Sequence, residues 1–413
     1  MRQDLDRLMQ ERGLQAFIVP PSEVYSPAAY YLAGGILCHP WIIKVQGREP
    51  LLLANHMEVE EAQKSGYEVI NYDALRQHEI IRDHGEYSPK GQALWWARFF
   101  DLFQIKGRVS FYGTVEAQTM LRWQKIISTE LAAQVELVHD TPPDILSLAA
   151  ETKDAAEIAL MRSVGERASA VMRATRHWLS QQRVGADEGL LDERGQALTI
   201  GAVKRYVRGL LMEQALEDVG GAMIFAQGRD AGIPHNRGQE DMPLRLGQAI
   251  IFDLFPRSMG GGYFHDMTRT WCLGYAPPQV QQDFEAVLGV YYKSLEGVTL
   301  GRPVRESATE VCQWFEAAGH PTRLNQPETT EGYVHSLGHG LGLMVHESPG
   351  IRHLSPPESV FKAGHVVTIE PGLYYPERGY GIRIEDTVYL DDKGNLQNLT
   401  DCPYELVIPM VAQ

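Results

Sequence analysis

Between Val334 and Pro349 the sequence reads V-H-S-L-G-H-G-L-G-L-M-V-H-E-S-P, which sets His335, His339 and His346 among glycines and hydrophobic residues. Imidazole is the commonest metal ligand and a frequent general acid or base near neutral pH. Glycines between histidines let a backbone pass close to a ligand or adopt positive φ. One such histidine alone reads as an ordinary core or solvated residue. Carboxylates set into apolar sequence change that reading.

Gln248–Phe255 is a nearly continuous apolar run interrupted by Asp253. Such a run fits a strand buried on both faces, and an isolated carboxylate there costs several kcal/mol unless a cation or donors compensate it. Val366–Gly372 closes a β-branched run with Glu370, and Phe264–Thr270 opens a Thr-rich strand with Asp266. In Gly381–Val388, period two puts Arg383, Glu385 and Thr387 on one face and Ile382, Ile384 and Asp386 on the other. Singly, each carboxylate reads as satisfied by backbone donors or an arginine. Together, Asp253, Asp266, Glu370 and Glu385 carry −4, which two divalent cations would neutralise. Oxygen-rich ligation with one imidazole suits Mn²⁺, Co²⁺, Fe²⁺ or Zn²⁺. Two such ions about 3.5–4 Å apart can activate a shared water and polarise a carbonyl.

The elements that must position these groups follow from patterning. Leu5, Leu8 and Met9 have helical spacing, with Gly13 as a stop. Strands are expected at 16–19, 41–45, 50–53, 109–112 and 135–138, with helices at 93–103 and 115–127. That alternation describes an α/β domain. Thr141-Pro142-Pro143 marks a boundary, after which 153–179 reads as one amphipathic helix with Ile158, Met161, Val164 and Ala168 on a stripe. Further strands are expected at 249–255, 268–273, 365–370 and 382–390. A chain of 413 residues fits two domains, here 1–145 and 150–413.

The formal charge of −15 argues against nucleic acid or an acidic membrane as partner. Cys38, Cys272, Cys312 and Cys402 lack C-x-x-C spacing and read as buried or free thiols in a reducing compartment. The N-terminus, Met1-Arg2-Gln3-Asp4-Leu5, is charged where a signal peptide needs an apolar core. No run approaches the roughly 18 apolar residues of a membrane span. A soluble cytoplasmic protein is expected.

The order Asp253, Asp266, His339, Glu370, Glu385 resembles the five-ligand signature of the pita-bread metallopeptidases, which include methionine aminopeptidase, aminopeptidase P and prolidase. The strings D-M-T-R-T, H-G-L-G-L-M-V-H-E-S-P, E-P-G-L-Y and G-I-R-I-E-D match as well, and the resemblance covers roughly residues 150–410. It implies an α/β (α+β) chain: a creatinase/prolidase-like N-terminal domain, then a pita-bread domain whose curved antiparallel sheet holds two metal ions, Mn²⁺ foremost. By the same likeness Asp253 chelates one ion, His339 and Glu370 bind the other, and Asp266 and Glu385 bridge them. His235 and His346 look like the pair that contacts the scissile carbonyl, and Glu370 like the proton carrier. His335 and Arg383 resemble the residues that mark the proline-directed branch and shape its proline subsite. The N-terminal domain resembles its counterparts mainly in layout, with a weak motif at Tyr30–Gly34, and implies a homodimer.

The implied activity is hydrolysis of Xaa-Pro bonds in dipeptides or short peptides, with dipeptidase and aminopeptidase P both open. Two rivals are a metal-free creatinase-like C–N hydrolase and a non-catalytic binding module of the same fold. Both usually lose ligands that this chain keeps. Three features depart from the family pattern. Asp253 and Asp266 are thirteen positions apart, two more than usual, across Gly260-Gly261-Gly262, which predicts a longer hairpin turn. His265 stands where a small residue is common and is expected to face solvent or lie behind the ligands. Gly221 stands where an aromatic residue usually shapes the first substrate pocket.

Overall fold

The computed structural model describes residues 4–411; Met1, Arg2 and Gln3 of the charged N-terminal stretch lie outside the described residues. The chain divides into two compact units, one running to Ala150 and including Gly260–Gly262, the other holding Glu151–Met259 and the chain from Tyr263 onward.

In the first unit, helix Leu5–Arg12 buries Leu5, Leu8 and Met9 and ends where Gly13 takes the left-handed conformation at φ 64°. Six strands follow: β1 Ala16–Val19, β2 Trp41–Val45, β3 Leu51–Ala54, β4 Glu68–Asn71, β5 Gly107–Phe111 and β6 Val135–Leu137. They form one mixed sheet in the order β4-β3-β2-β1-β5-β6. Pairs β1–β2 and β2–β3 are antiparallel and the rest parallel. Ser88 caps helix Pro89–Leu102 and the Glu116 side chain caps Ala117–Glu130. Their apolar faces cover Ile18, Trp41, Ile43 and Val109 of the sheet. Strand β4 escapes a reading by pattern because it is an edge strand with no fully buried residue.

The second unit opens with helix Ala155–Ser180, started by a capping box between Asp154 and Glu157 and burying Ile158, Met161, Val164 and Ala168. Its main strands are β7 Ile224–Gln227, β8 Ala249–Leu254, β9 Met267–Leu273, β10 Gly338–Gly340, β11 Glu347–Ile351, β12 Val366–Ile369, β13 Gly372–Tyr375, β14 Tyr380–Arg383, β15 Asp386–Leu390, β16 Leu396–Asn398 and β17 Val407–Ile408. They make a sheet β7-β8-β9-β17, a sheet β11-β10-β12-β15-β16 and the hairpin β13-β14. Only the β9–β17 pair is parallel. A single bridge, Thr268 to Glu385, joins β9 to the gap between β14 and β15.

That gap corrects one expectation. The continuous strand at 382–390 is broken at Ile384–Glu385, with β14 pairing to β13 and β15 to β12. Ile384 N instead donates to the Pro371 carbonyl, and Glu385 exchanges backbone hydrogen bonds with Thr268. One half-strand therefore serves the hairpin and the other the five-stranded sheet. Asp253 alone among the four carboxylates lies within a regular strand. Asp266 precedes β9, Glu370 follows β12 and Glu385 sits in the break. Strand ends and the break thus place Asp266, Glu370 and Glu385 while the ladders hold their neighbours.

Among the described residues no helix is long and apolar enough to cross a membrane. The cysteines are all free and buried.

Candidate active site

Within the second unit, Asp253, Asp266, His335, His339, Glu370, Arg383, Glu385, His235 and His346 line one cleft of about 370 Å³. Strand β8 supplies Asp253 from the face that also carries Ile251, while Ile250, Phe252 and Leu254 pack into the opposite core. Strand β10 carries His339 at its centre. The glycines beside it keep ordinary φ and serve close packing. A Cβ on Gly338 would lie 2.0 Å from the Thr368 carbonyl oxygen, and one on Gly340 would lie 2.1 Å from that of Ser348.

Asp266, His339 and Glu385 bring ligand atoms within 4.8 Å of one another, all three buried. His339 Nδ1 lies 3.0 Å from the Gly340 carbonyl oxygen, an N–H donation that leaves Nε2 free toward the carboxylates. Nε2 is 3.7 Å from Asp266 Oδ2 and 3.6 Å from Glu370 Oε1. Asp253 is drawn differently: its Oδ2 accepts from Arg383 Nη2 at 2.5 Å. Arg383 is 1% exposed and also donates to Thr268 Oγ1, the Pro234 carbonyl and Tyr374 OH. The balance of −4 against two cations thus leaves out one buried guanidinium that already offsets part of the charge.

Asp253 Oδ1, Asp266 Oδ1 and Glu370 Oε1 are buried without a hydrogen-bond partner. Unpartnered buried carboxylate oxygens are costly, and three in one cleft beside a free imidazole nitrogen fit a divalent cation site. Burial, then the charges of Glu385, Asp253 and Glu370, hold Asp266 well above the usual carboxylate range. Burial and then Glu370 and Asp253 do the same to Glu385. Burial also opposes charge on Glu370, but His335, 3.2 Å away, with His339 and Arg383, brings it down to about 2. His235 and His346 are lowered, chiefly by desolvation and then by neighbouring positive groups. His235 Nε2 lies 3.2 Å from His335 Nε2, and the His346 ring is 4.4 Å from that of His339.

Residues that hold these acidic groups in place had no role in the sequence-based expectations. Thr268 Oγ1 donates to Glu385 Oε2 at 2.6 Å, and Thr387 Oγ1 donates to the Asp266 carbonyl at 2.8 Å. Arg269, 2% exposed, pairs with Asp386 at 2.8 Å and donates to the carbonyls of Thr268, Glu385, Cys402 and Pro403. The signal for Thr268 and Arg269 was the T-R-T string, whose alternation sends the two to opposite faces, and that for Thr387 was its place two residues after Glu385. Arg237, on the cleft wall with Ala222, Ile224 and Phe255, had no signal at all.

The departures resolve individually. Gly260, Gly261 and Gly262 take φ of 83°, 114° and 115°, and the longer connection pairs Arg257 with Phe264 before Asp266 re-enters the cleft. Gly221 ends a short 3-10 turn at φ 62°, so Ala222 and Ile224 form the wall there. His265 does not face solvent: it is fully buried, 3.0 Å from Thr400 Oγ1, under Gly165 of helix Ala155–Ser180. Alternation explains this, since Asp266 takes the cleft side and its neighbour must take the core. Desolvation lowers His265 to about 4.

Residues 159–392 match a family model described as metallopeptidase family M24. An Xaa-Pro dipeptidase of Pyrococcus furiosus is 32% identical over 184 residues, 45% of this chain and 48% of the relative. A probable dipeptidase PepE of Mycobacterium tuberculosis is 31% identical over 190 residues, 46% of this chain and 47% of the relative. The chain spans about half the length of the curated relatives it matches. A prolidase from Pyrococcus horikoshii superposes with TM-score 0.73 at 21% identity, covering 98% of this chain and 99% of that one. An X-Pro aminopeptidase from Thermotoga maritima does so with TM-score 0.73 at 20% identity and the same coverage. At these identities the likeness shows a shared fold over nearly the whole chain.

Proposed function

The chain belongs to metallopeptidase family M24, and from that premise we propose that it hydrolyses Xaa-Pro peptide bonds in dipeptides or short peptides with divalent metal ions. The observation that carries this reading is the convergence of four carboxylates on His339 with three buried, unpartnered oxygens. The relatives named as Xaa-Pro dipeptidases support the substrate class.

Asp253, Asp266, His339, Glu370 and Glu385 would hold two ions, manganese foremost and cobalt, zinc or iron as alternatives; when bound, such ions acidify water and polarise a carbonyl. The chain's own residues supply the rest. Glu370, ionised and restrained by His335, offers Oε1 to take a proton from an attacking water and pass it to the departing proline nitrogen. His235 and His346, neutral near pH 7, present N–H donors to the carbonyl oxygen as its charge develops. His335 and Arg383 line the proline subsite, Arg383 also fixing Asp253 and Tyr374. A cytoplasmic homodimer belongs to the same reading, and sedimentation velocity tests the dimer.

The test is an assay of manganese-reconstituted protein on Ala-Pro, Ala-Pro-Ala and Ala-Ala. Ala-Pro should be cleaved at least about tenfold better than Ala-Ala by kcat/KM, a modest ~1.4 kcal/mol of differential transition-state binding. Ala-Pro over Ala-Pro-Ala is the expected order, which makes it a dipeptidase. Equal rates on Ala-Pro and Ala-Ala would remove proline specificity alone. Protein that takes up no Mn²⁺, Co²⁺ or Zn²⁺ by elemental analysis would sink the metallopeptidase and favour the creatinase-like rival.

A further inference from the structure

Arg237 lines the cleft two residues after His235, on a wall otherwise made of Ala222, Ile224 and Phe255. Among the described residues its guanidinium makes no hydrogen bond or ion pair. Scarcity of partners does not explain this, because Asp and Glu number 53 against 38 Lys and Arg. Arg208, Arg245, Arg257, Arg269 and Arg383 of the same unit pair with carboxylates, while Arg194, Arg205, Arg305 and Arg323, exposed like Arg237, form no ion pair among the described residues. The carboxylates of the cleft form no ion pair with Arg237: Asp253 is held by Arg383, Glu370 by His335, and Asp266 and Glu385 lie with His339.

The Arg237 backbone, by contrast, is firmly held. Its carbonyl accepts from Phe225 N at 3.4 Å and from Lys204 Nζ at 2.7 Å. Lys204 is 3% exposed, so a buried ammonium is spent on this one carbonyl. Gly238, next in sequence, has φ 78°, and a Cβ there would lie 2.2 Å from the Phe225 carbonyl oxygen. Arg237 therefore holds an exposed, unpaired guanidinium on a pinned backbone, on a stretch of cleft wall where its neighbours are apolar. Guanidinium favours carboxylate by geometry, through two parallel N–H···O bonds. On a chain of formal charge −15, one cation at the cleft also draws an anionic substrate inward.

We infer that Arg237 selects substrates by binding a carboxylate, an inference that rests on the peptidase reading for its substrate class. The carboxylate is either the C-terminus of a dipeptide or the side chain of an acidic residue beside the proline. Three substrates separate these: Ala-Pro carries only the terminal carboxylate, Glu-Pro-amide only the side-chain one, and Ala-Pro-amide neither. Wild-type and Arg237→Gln protein, loaded with manganese, are compared by kcat/KM. Binding of the reduced-amide analogues, whose scissile carbonyl is a methylene, is measured by calorimetry.

The preference for an acid over the neutral amide should fall about tenfold or more in Arg237→Gln and be partly kept in Arg237→Lys. A fall confined to Ala-Pro assigns the terminal carboxylate, and one confined to Glu-Pro-amide assigns the side chain. Acid-over-amide ratios equal in wild type and variant, in both binding and kinetics, overturn the inference. Wild-type protein that binds acid analogues through Arg237 yet cleaves none of the three substrates would remove the peptidase reading and leave this one standing.

Discussion

Arg383 and Asp253 meet at 2.5 Å with the arginine side chain 1% exposed, beside three further carboxylates. Replacing Arg383 by Met removes the one buried cation of that cluster. Breaking a buried pair typically costs about 3–5 kcal/mol, so Arg383→Met should lower the melting temperature of chelator-treated protein by many degrees. An unchanged melting temperature would mean the pair holds nothing. His346 tests the opposite property. It is exposed, touches the His339 ring and, among the described residues, makes no hydrogen bond. His346→Ala should keep its metal by elemental analysis and lose roughly 10²–10³-fold in turnover, the usual effect of deleting one preorganised donor; normal turnover would remove its role. Types and order were readable at this scale, since a histidine among glycines and acids among β-branched residues are each out of place. Partnerships were not. Arg383 finds Asp253 across 130 positions, and Arg269 finds Asp386 across 117. No local pattern encodes which of several carboxylates an arginine will meet.

Strand β10 is only three residues long, and its glycines let β11 and β12 close on His339 from both sides. Gly340→Ala would put a Cβ 2.1 Å from the Ser348 carbonyl oxygen, against backbone that cannot swing aside. Overpacking of this kind costs typically 1–3 kcal/mol, and the displaced His339 should weaken metal uptake as well. Gly350→Ala is the control: its Cβ would meet nothing nearer than Arg352 Nε at 3.8 Å, so stability should change by less than about 0.5 kcal/mol. Urea midpoints of the two variants check the pair, and equal midpoints would contradict the packing argument. Strands such as β8 were legible because an apolar run buried on both faces leaves a continuous signature. The break at Ile384–Glu385 left none. Period-two alternation runs unaltered across it, and only partners far along the chain show that β14 and β15 belong to different sheets.

Stability of the whole molecule should carry the mark of His265. Its folded pKa of about 4 lies below the ordinary 6.5, because the native site excludes water. The unfolded chain therefore binds a proton that the native state refuses. The contribution is complete above about pH 6.5 and is lost as pH falls toward 4, by at most about 1.4 kcal/mol per unit. His265→Gln should flatten the dependence of the urea midpoint on pH between about 7 and 5; parallel curves would place the proton elsewhere. Cys38, Cys272, Cys312 and Cys402 are buried and unpaired. Burial pushes Cys38 and Cys312 up to about 11 and Cys272 up to about 12. The reactive thiolate is thus nearly absent while the chain is folded, and an alkylating reagent must wait for the protein to open. Cys38 belongs to the first compact unit and the other three to the second. Mass increments of one and three, followed over time, would then time the opening of each unit separately, with no engineered probe.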